Sequence, residues 1–423
     1  MNYVFYNTFM TLCDLGILHM YNETRNTTEK TDLKESRCGI RLGKRIRAQE
    51  NFLFENKNLY SKLGAGELDP IEKVVYDSIV SAAADNKKSD VFSPYGLCCI
   101  FYVLLQITEG TTKQALLNIL ENYELKIEDS FYENIKSHII FFFHEDKCKT
   151  LFNVIELIIE FKDTDKRSDT FYSTIYKKTS KIFSSLFSPQ IESPLFLMNT
   201  VYITSEWLNK FNPRDTKMKK FYNKKCFYKI PMMRQKGVFN YLYADGLRFI
   251  RIDLENFSES LCLVIVLPDT NFYIPPQLHM EFKNEFKRLA TRDCQYYTVD
   301  LEIPKFKIET ECNLNKVFNG LLSSDIINKD LELNKDFSPY DTTKMNIKHK
   351  TIIEFSESGI CTGESYSQNV SNLVAKNTIS FFCNRSFVFY LLDIRNSQVL
   401  NSEGSFSFIF PVLVGRYTGP KNN

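Results

Sequence analysis

The chain has 423 residues and a mass of 49.5 kDa, room for two or three domains or one large one. It carries 53 Lys+Arg against 51 Asp+Glu, a net charge of +2, which argues against a general nucleic-acid binder. With 43% hydrophobic and 25% charged residues the composition is globular, and apolar runs such as Leu261 to Leu267 are far short of the ~20 residues of a membrane span.

Residues 1–20 resemble a signal segment in part, with Val4, Phe5, Phe9, Met10, Leu12 and Leu15 to Leu18. No basic residue precedes them, and Asn7 and Asp14 interrupt the apolar stretch. From Asn22 to Ala65 the chain is polar, with a basic cluster at Arg41, Lys44, Arg45 and Arg47. Residues 1–67 therefore read as an N-terminal extension without regular structure. Gly64-Ala65-Gly66 lacks the strand and the third glycine of a phosphate loop.

The periodic part begins with a helix over 70–84, capped by Asp69 and opened by Pro70. Val91-Phe92 is a short strand. Ser93 caps and Pro94 opens an apolar helix to about Gln106. Thr111 or Thr112 caps a further helix with Leu116, Leu117 and Ile119. Strands are expected at 195–205, 230–233, 239–243, 249–254, 261–267, 299–308 and 351–355, with apolar runs at 379–383 and 387–392. Helices lead and strands follow, an α+β pattern.

Eleven cysteines are scattered along this body and the extension. None forms a C-x-x-C pair or a zinc-like register with two His, so buried small hydrophobes are expected, with no metal or cofactor. One motif looks catalytic. Gly359-Ile360-Cys361-Thr362-Gly363 fits a thiol nucleophile elbow. That elbow needs a helix after it and a later His. Residues 364–372 are polar, and His19, His138, His144, His279 and His349 all come earlier. The thiol has no general base, so an enzyme is not expected.

The remaining motifs fall in a definite order. They are Phe92-Ser93-Pro94; Gly110-Thr111-Thr112; Asn199, Val201, Tyr202, Trp207, Phe211, Pro213, Thr216 and Phe221; Pro231-Met232-Met233 with Gln235 to Gly237 and Phe239; Leu263 to Asp269; Pro304-Lys305-Phe306; His349-Lys350 with Glu354 to Gly359; and Phe387 to Phe389 with Gly415-Arg416 and Pro420. Together they resemble the serpin family over residues 68–420. Trp207, the only Trp, falls on the family's Trp.

The resemblance implies one serpin-like domain of three β-sheets, about eight or nine helices and an exposed reactive loop at 357–378. It implies that Phe92, Ser93, Pro94, Asn199, Trp207, Pro304, Phe306, Phe387, Gly415 and Arg416 are structural. It implies a monomer whose partner is a target serine protease, trapped when the cut loop inserts into a sheet. The loop hinge then begins at Glu357 and Gly359. Side chains alternate along a strand, so Ile360, Thr362, Glu364 and Tyr366 face the buried side on insertion.

Several features depart from the family. Glu364 is a costly group to bury, Tyr366 needs room, and Cys361 replaces an acidic residue. A non-inhibitory binding protein is therefore the alternative function, and a defective relative a third. Counting from Glu357 puts the scissile bond at Leu373-Val374; counting back from Phe387 puts it at Ala375-Lys376. About twelve extra residues, 401–412, precede the closing Gly415-Arg416. Either the last strand is built from 407–417, or a loop bulges out, and Pro411 argues for an edge or a bulge. Between 138 and 161 the chain looks one helix shorter than the family. Sequons at Asn22, Asn26, Asn256, Asn369 and Asn384, with the signal-like start, point to an extracellular glycoprotein; the weak signal and unpaired cysteines leave a cytoplasmic setting as the alternative.

Overall fold

A computed structural model describes residues 89–120, 135–143, 157–160, 196–223, 226–255, 261–269, 282–290, 295–314, 332–333, 346–360, 378–394 and 409–420. The expected extension at 1–67, the helix at 70–84 and the loop segment 361–377 lie outside the described residues.

Strand β1 (Asp90–Phe92) leads into helix α1 (Pro94–Ile107). The start is built as the sequence predicts. Ser93 is extended, its Oγ accepts from the Gly96 N–H at 3.1 Å and donates to the Val412 carbonyl at 2.8 Å. Pro94, with no N–H to leave orphaned, is the first helical residue. Eleven of the fourteen residues of α1 are buried, so the helix is central, not a surface helix with one apolar stripe. Helix α2 is Gly110–Leu120; its expected caps are replaced by Glu332, whose carboxylate takes the Thr111 N–H.

The other elements are β2 (Ile135–Phe143), β3 (Leu157–Glu160), β4 (Phe196–Ile203), β5 (Ser205–Glu206), β6 (Lys217–Asn223), β7 (Cys226–Ala244), β8 (Leu247–Asp253), β9 (Leu261–Pro268), helix α3 (Lys283–Ala290), β10 (Tyr296–Pro304), β11 (Phe306–Asn313), β12 (Asn346–Phe355), β13 (Gly359–Ile360), β14 (Thr378–Phe382), β15 (Phe387–Asp393) and β16 (Phe410–Tyr417). A nine-stranded sheet runs β1-β16-β15-β9-β8-β7-β10-β14, with β6 on β7. A seven-stranded sheet runs β3-β2-β4-β12-β13-β5, with β11 on β12.

Several expectations are corrected. Among the described residues the strands join into two hydrogen-bonded sheets, and three α-helices are seen; the expected three sheets and eight or nine helices are counts for the whole chain, part of which lies outside the described residues. The reason for the sheet count lies in β7, read from the sequence as two short strands. It is one strand of 19 residues. Its residues 232–240 pair with β10 and its residues 241–244 with β8, so one strand joins both halves of the larger sheet. In the Arg234-Gln235-Lys236 stretch between the two expected strands, Arg234 and Lys236 share the solvent side of the strand, and Gln235 turns to the other side, where its amide nitrogen is buried.

The single strand expected at 299–308 is two. At Pro304, which has no N–H to donate, the chain leaves the larger sheet, and β11 joins the smaller one. The region 138–161, read as short of a helix, holds β2 and β3, which had not been predicted. The final strand is built from 410–417. Pro411 sits at an irregularity: Leu391 faces Leu413 but Leu392 faces Pro411, a bulge at a point beyond the reach of β1, which pairs only with Val414 to Arg416.

The sheets meet through aromatic rings. Phe306 of the smaller sheet stacks on Tyr417 of the larger at 4.4 Å and 22°, and lies 4.5 Å from Phe355. Phe387, Phe389 and Gly415 line the same seam, and Arg416 reaches Asp90 at 2.6 Å. Cys98, Cys99, Cys262 and Cys383 are buried as free thiols; Cys226 is exposed.

The Ser93 cap gives a direct test. Ser93→Ala leaves the Gly96 N–H and the Val412 carbonyl unpaired in the interior, and is expected to cost ~2 kcal/mol. Urea unfolding should show a lower midpoint with an unchanged slope; an unchanged midpoint would contradict the role given to the cap.

Candidate functional site

The smaller sheet is closed at one end and parted at the other. Parallel β4 and β12 pair from Phe196–Asn346 to Tyr202–Ile352. Beyond that point the two strands separate, and β13 lies between them. Ile360 pairs antiparallel with Phe355 on one side and with Ser205 on the other; Gly359 pairs with Glu206. Ile360 is completely buried.

Local chemistry holds the chain in this slot. The turn 356–358 reverses direction, with the Ser356 N–H donating to the Gly359 carbonyl at 2.9 Å and the Gly359 N–H reaching Ser356 Oγ at 3.3 Å. A Cβ on residue 359 would collide with the Ser205 carbonyl and lie 2.7 Å from the Glu206 Cα, so only glycine passes. Trp207 is fully buried, its indole N–H donates to the Ser356 carbonyl at 2.8 Å, and its backbone N–H donates to Ser358 at 3.0 Å. It packs edge-on to Phe355 at 5.4 Å.

Glu357 is held from three directions. Lys305 donates to one oxygen at 2.8 Å, Thr216 to the other at 2.9 Å, and the Phe211 N–H takes its backbone carbonyl at 2.9 Å. Partial burial pushes its carboxyl up. Hydrogen bonds from Lys305, its own backbone and Thr216 outweigh that and hold it below its ordinary value. The turn before β13 is thus tied by an ionised carboxylate to the point where the chain crosses between sheets.

Beneath the slot lies a buried polar cluster. His349 of β12 is 1% exposed. Its Nδ1 lies 2.9 Å from Asn199 Oδ1, and its Nε2 receives the Ser93 N–H at 3.2 Å and lies 2.7 Å from Thr351 Oγ1. Since Nε2 accepts from a backbone N–H, the proton sits on Nδ1 and is donated to Asn199. Gly96 leaves room for the ring: a Cβ there would come 2.6 Å from His349 Cε1. This cluster bonds β4 and β12 to each other at the middle of their parallel pairing and to Ser93 at the start of α1.

Sequence reasoning singled out Glu357, Gly359 and Ile360 as the hinge and Ser93, Asn199 and Trp207 as structural. The structure brings those three structural residues and the hinge into one region. The sequence reading missed Lys305, Ser356 and Ser358 as partners of this turn, and took His349 as part of a family motif and as a histidine too early in the chain to serve the thiol as a base. The available signal was alternation: His349, Thr351, Ile353 and Phe355 share one face of β12, and two polar residues on an otherwise apolar face must satisfy each other. Thr362, Glu364, Tyr366 and the candidate scissile residues Leu373, Val374, Ala375 and Lys376 lie outside the described residues.

The family model described as "Serpin (serine protease inhibitor)" matches residues 121–402. The chain belongs to the serpin family. Among its relatives are Serpin B4 of Homo sapiens, 24% identical over 288 residues, covering 66% of this chain and 73% of that protein. Antichymotrypsin-2 of Bombyx mori is 26% identical over 292 residues, covering 67% and 77%. The crystal structure of mouse protein-Z dependent protease inhibitor superimposes with a TM-score of 0.64 at 17% identity, over 84% of this chain and 96% of that one. The serpin of the trematode Schistosoma haematobium gives 0.61 at 17% identity, over 84% and 100%. The fold of this chain is the serpin fold.

The buried cluster makes stability depend on pH. Burial pushes His349 from an ordinary 6.5 down to about 3. The unfolded chain therefore binds this proton more readily than the folded one below pH 6.5. Stability is full above that value and is lost as pH falls towards 3, by ~2 kcal/mol at pH 5. Glu357, with its lowered carboxyl, acts only in a more acid range. The expected result is a fall in the urea midpoint between pH 7 and pH 5 that largely disappears in His349→Gln. An equal fall in the variant would contradict a neutral buried imidazole.

Proposed function

We propose that this serpin inhibits a serine-type endopeptidase as a suicide substrate, with segment 361–377 as its bait. The observation that carries the reading is the seating of Ile360. The first residue of the hinge is already a strand between β12 and β5, at the point where the sheet opens. In the proposed reaction the protease serine attacks a loop carbonyl, at Leu373-Val374 or Ala375-Lys376. An ester forms, the peptide bond breaks, and the amine leaves with a proton. The freed segment then extends β13 into the sheet, separating β4 from β12. Relatives named antichymotrypsin and antitrypsin support the reading. The setting we propose is extracellular, on the signal-like start and the sequons.

The register that β13 begins determines where each residue would go. Continued antiparallel, Thr362 comes between Ile353 and Ile203, Glu364 between Thr351 and Val201, and Tyr366 between His349 and Asn199. The two departures from the family pattern would thus be carried onto the buried polar cluster. Tyr366 would replace the His349–Asn199 hydrogen bond with its hydroxyl, and Glu364 would come beside the Thr351 hydroxyl. That supplies polar partners, but no cation unless His349 takes up a proton. Glu364 therefore also favours a second reading, a serpin fold that binds a partner without trapping a protease.

Two measurements separate the readings. Incubation with a panel of serine proteases should give a covalent complex that survives boiling in detergent; cleavage of the loop with no complex would favour the binding protein. Melting of loop-nicked against intact protein should show a gain that is larger near pH 5 than near pH 8. Burial raises the Glu364 carboxyl in the inserted form, so insertion is favoured at low pH and weakens as pH rises through the raised value. Glu364→Ala with Tyr366→Ala should gain clearly more at pH 8. A large gain independent of pH in the unmutated protein would show that the carboxylate is fully accommodated.

A further inference from the structure

Between residues 216 and 244 the chain carries eight Lys and Arg and no Asp or Glu, although the whole protein is nearly neutral. Folding places part of this charge on one outward face. Arg234 faces Glu302, Lys236 faces Asp300 and Val238 faces Thr298 across β7 and β10, and β14 sets Thr378 beside Thr298. On the same face Lys219 reaches Glu302, and Arg234 grips Asp300 through Nε at 2.8 Å. The acids lie underneath the cations. Side-chain exposure is 10% for Asp300 and 5% for Glu302, against 42% for Arg234 and 36% for Lys219. Lys236 is exposed and within ion-pair distance of no described residue. The surface that solvent meets is positive. Beside it, on the same face, Val238 is 44% and Tyr296 55% exposed.

The place of this face in the fold gives it meaning. Segment 361–377 starts next to Glu357, which is held by Lys305 at one end of β10, and returns at Thr378, beside Thr298 towards the other end. A macromolecule that engages the loop is brought up to β10 and its neighbour β7. We propose that the outward face of β7 and β10, centred on Arg234, Lys236, Val238 and Tyr296, docks an acidic patch on the protease that attacks the loop. The proposal rests on the inhibitory reading. Opposite charge speeds encounter and selects the partner, while the apolar pair supplies a centre that contact can dry. A sulfated or nucleic polyanion would use the cations alone and leave Val238 and Tyr296 wet.

The test is the rate of complex formation with a protease that gives the detergent-stable complex, at ~0.05 M and ~0.5 M salt. Lys236→Glu should be about fivefold slower at low salt, with the difference gone at high salt. Val238→Ser with Tyr296→Ser should be about fivefold slower at both. The number of inhibitor molecules consumed per protease should not change, because the loop is untouched. Lys113→Glu, the same charge change on α2, should react at the unmodified rate. Wild-type rates for the Lys236 variant, or an equally slow Lys113 variant, would overturn the docking face. An effect of charge without an effect of the apolar pair would also overturn it and assign the face to a polyanion. No complex with any protease would remove the inhibitory reading and this proposal together; a complex whose rate ignores every variant would remove only the docking face.

Discussion

Everything that bears on function in this molecule depends on a two-residue strand. Parallel β4 and β12 bond to each other along seven residue pairs and then part, and Gly359-Ile360 fills the gap. A parallel pair that opens in this way leaves backbone groups of both strands in need of partners. The hinge supplies them from the chain that leaves β12, after a turn held by Ser356. The arrangement is local, and under the proposed inhibitory reading it is where a longer insertion would begin, with the β4–β12 pairing broken to admit it.

The polar groups around the gap divide into two kinds. Glu357 with Lys305 and Thr216 is partly exposed and charged, and ties the hinge to the crossing between the two sheets. His349 with Asn199, Thr351 and Ser93 is buried and neutral, and closes the sheet below. Replacing the second set needs a strand whose side chains can satisfy the same donors and acceptors. If the loop inserts in the register that β13 begins, as proposed, Glu364 and Tyr366 would come to this cluster and meet it with polar groups of their own.

Much of this was legible in the sequence. The Ser93-Pro94 helix start follows from capping and proline geometry, which act over a few residues, while Trp207 and the hinge positions Gly359 and Ile360 were read from the resemblance to the family. The parts that were not legible depend on contacts between distant segments. The polar run 234–236 falls between two expected strands until β10 lies beside it with Asp300 and Glu302. Lys305 reads as a surface lysine until Glu357 arrives. Pro304 looks like a mid-strand residue until the strands on either side of it are seen to belong to different sheets. The strands β2 and β3 flank a polar stretch and carried no turn signal that would separate them from helix.

The most direct measurement is a crystal structure of the chain cleaved once within 367–377. The account predicts that β13 continues between β4 and β12, with Glu364 opposite Thr351 and Tyr366 opposite His349, and that the Asn346–Phe196 to Ile352–Tyr202 pairing is gone. A cleaved chain in which β4 and β12 remain paired, and the strand still ends at Ile360, would contradict it.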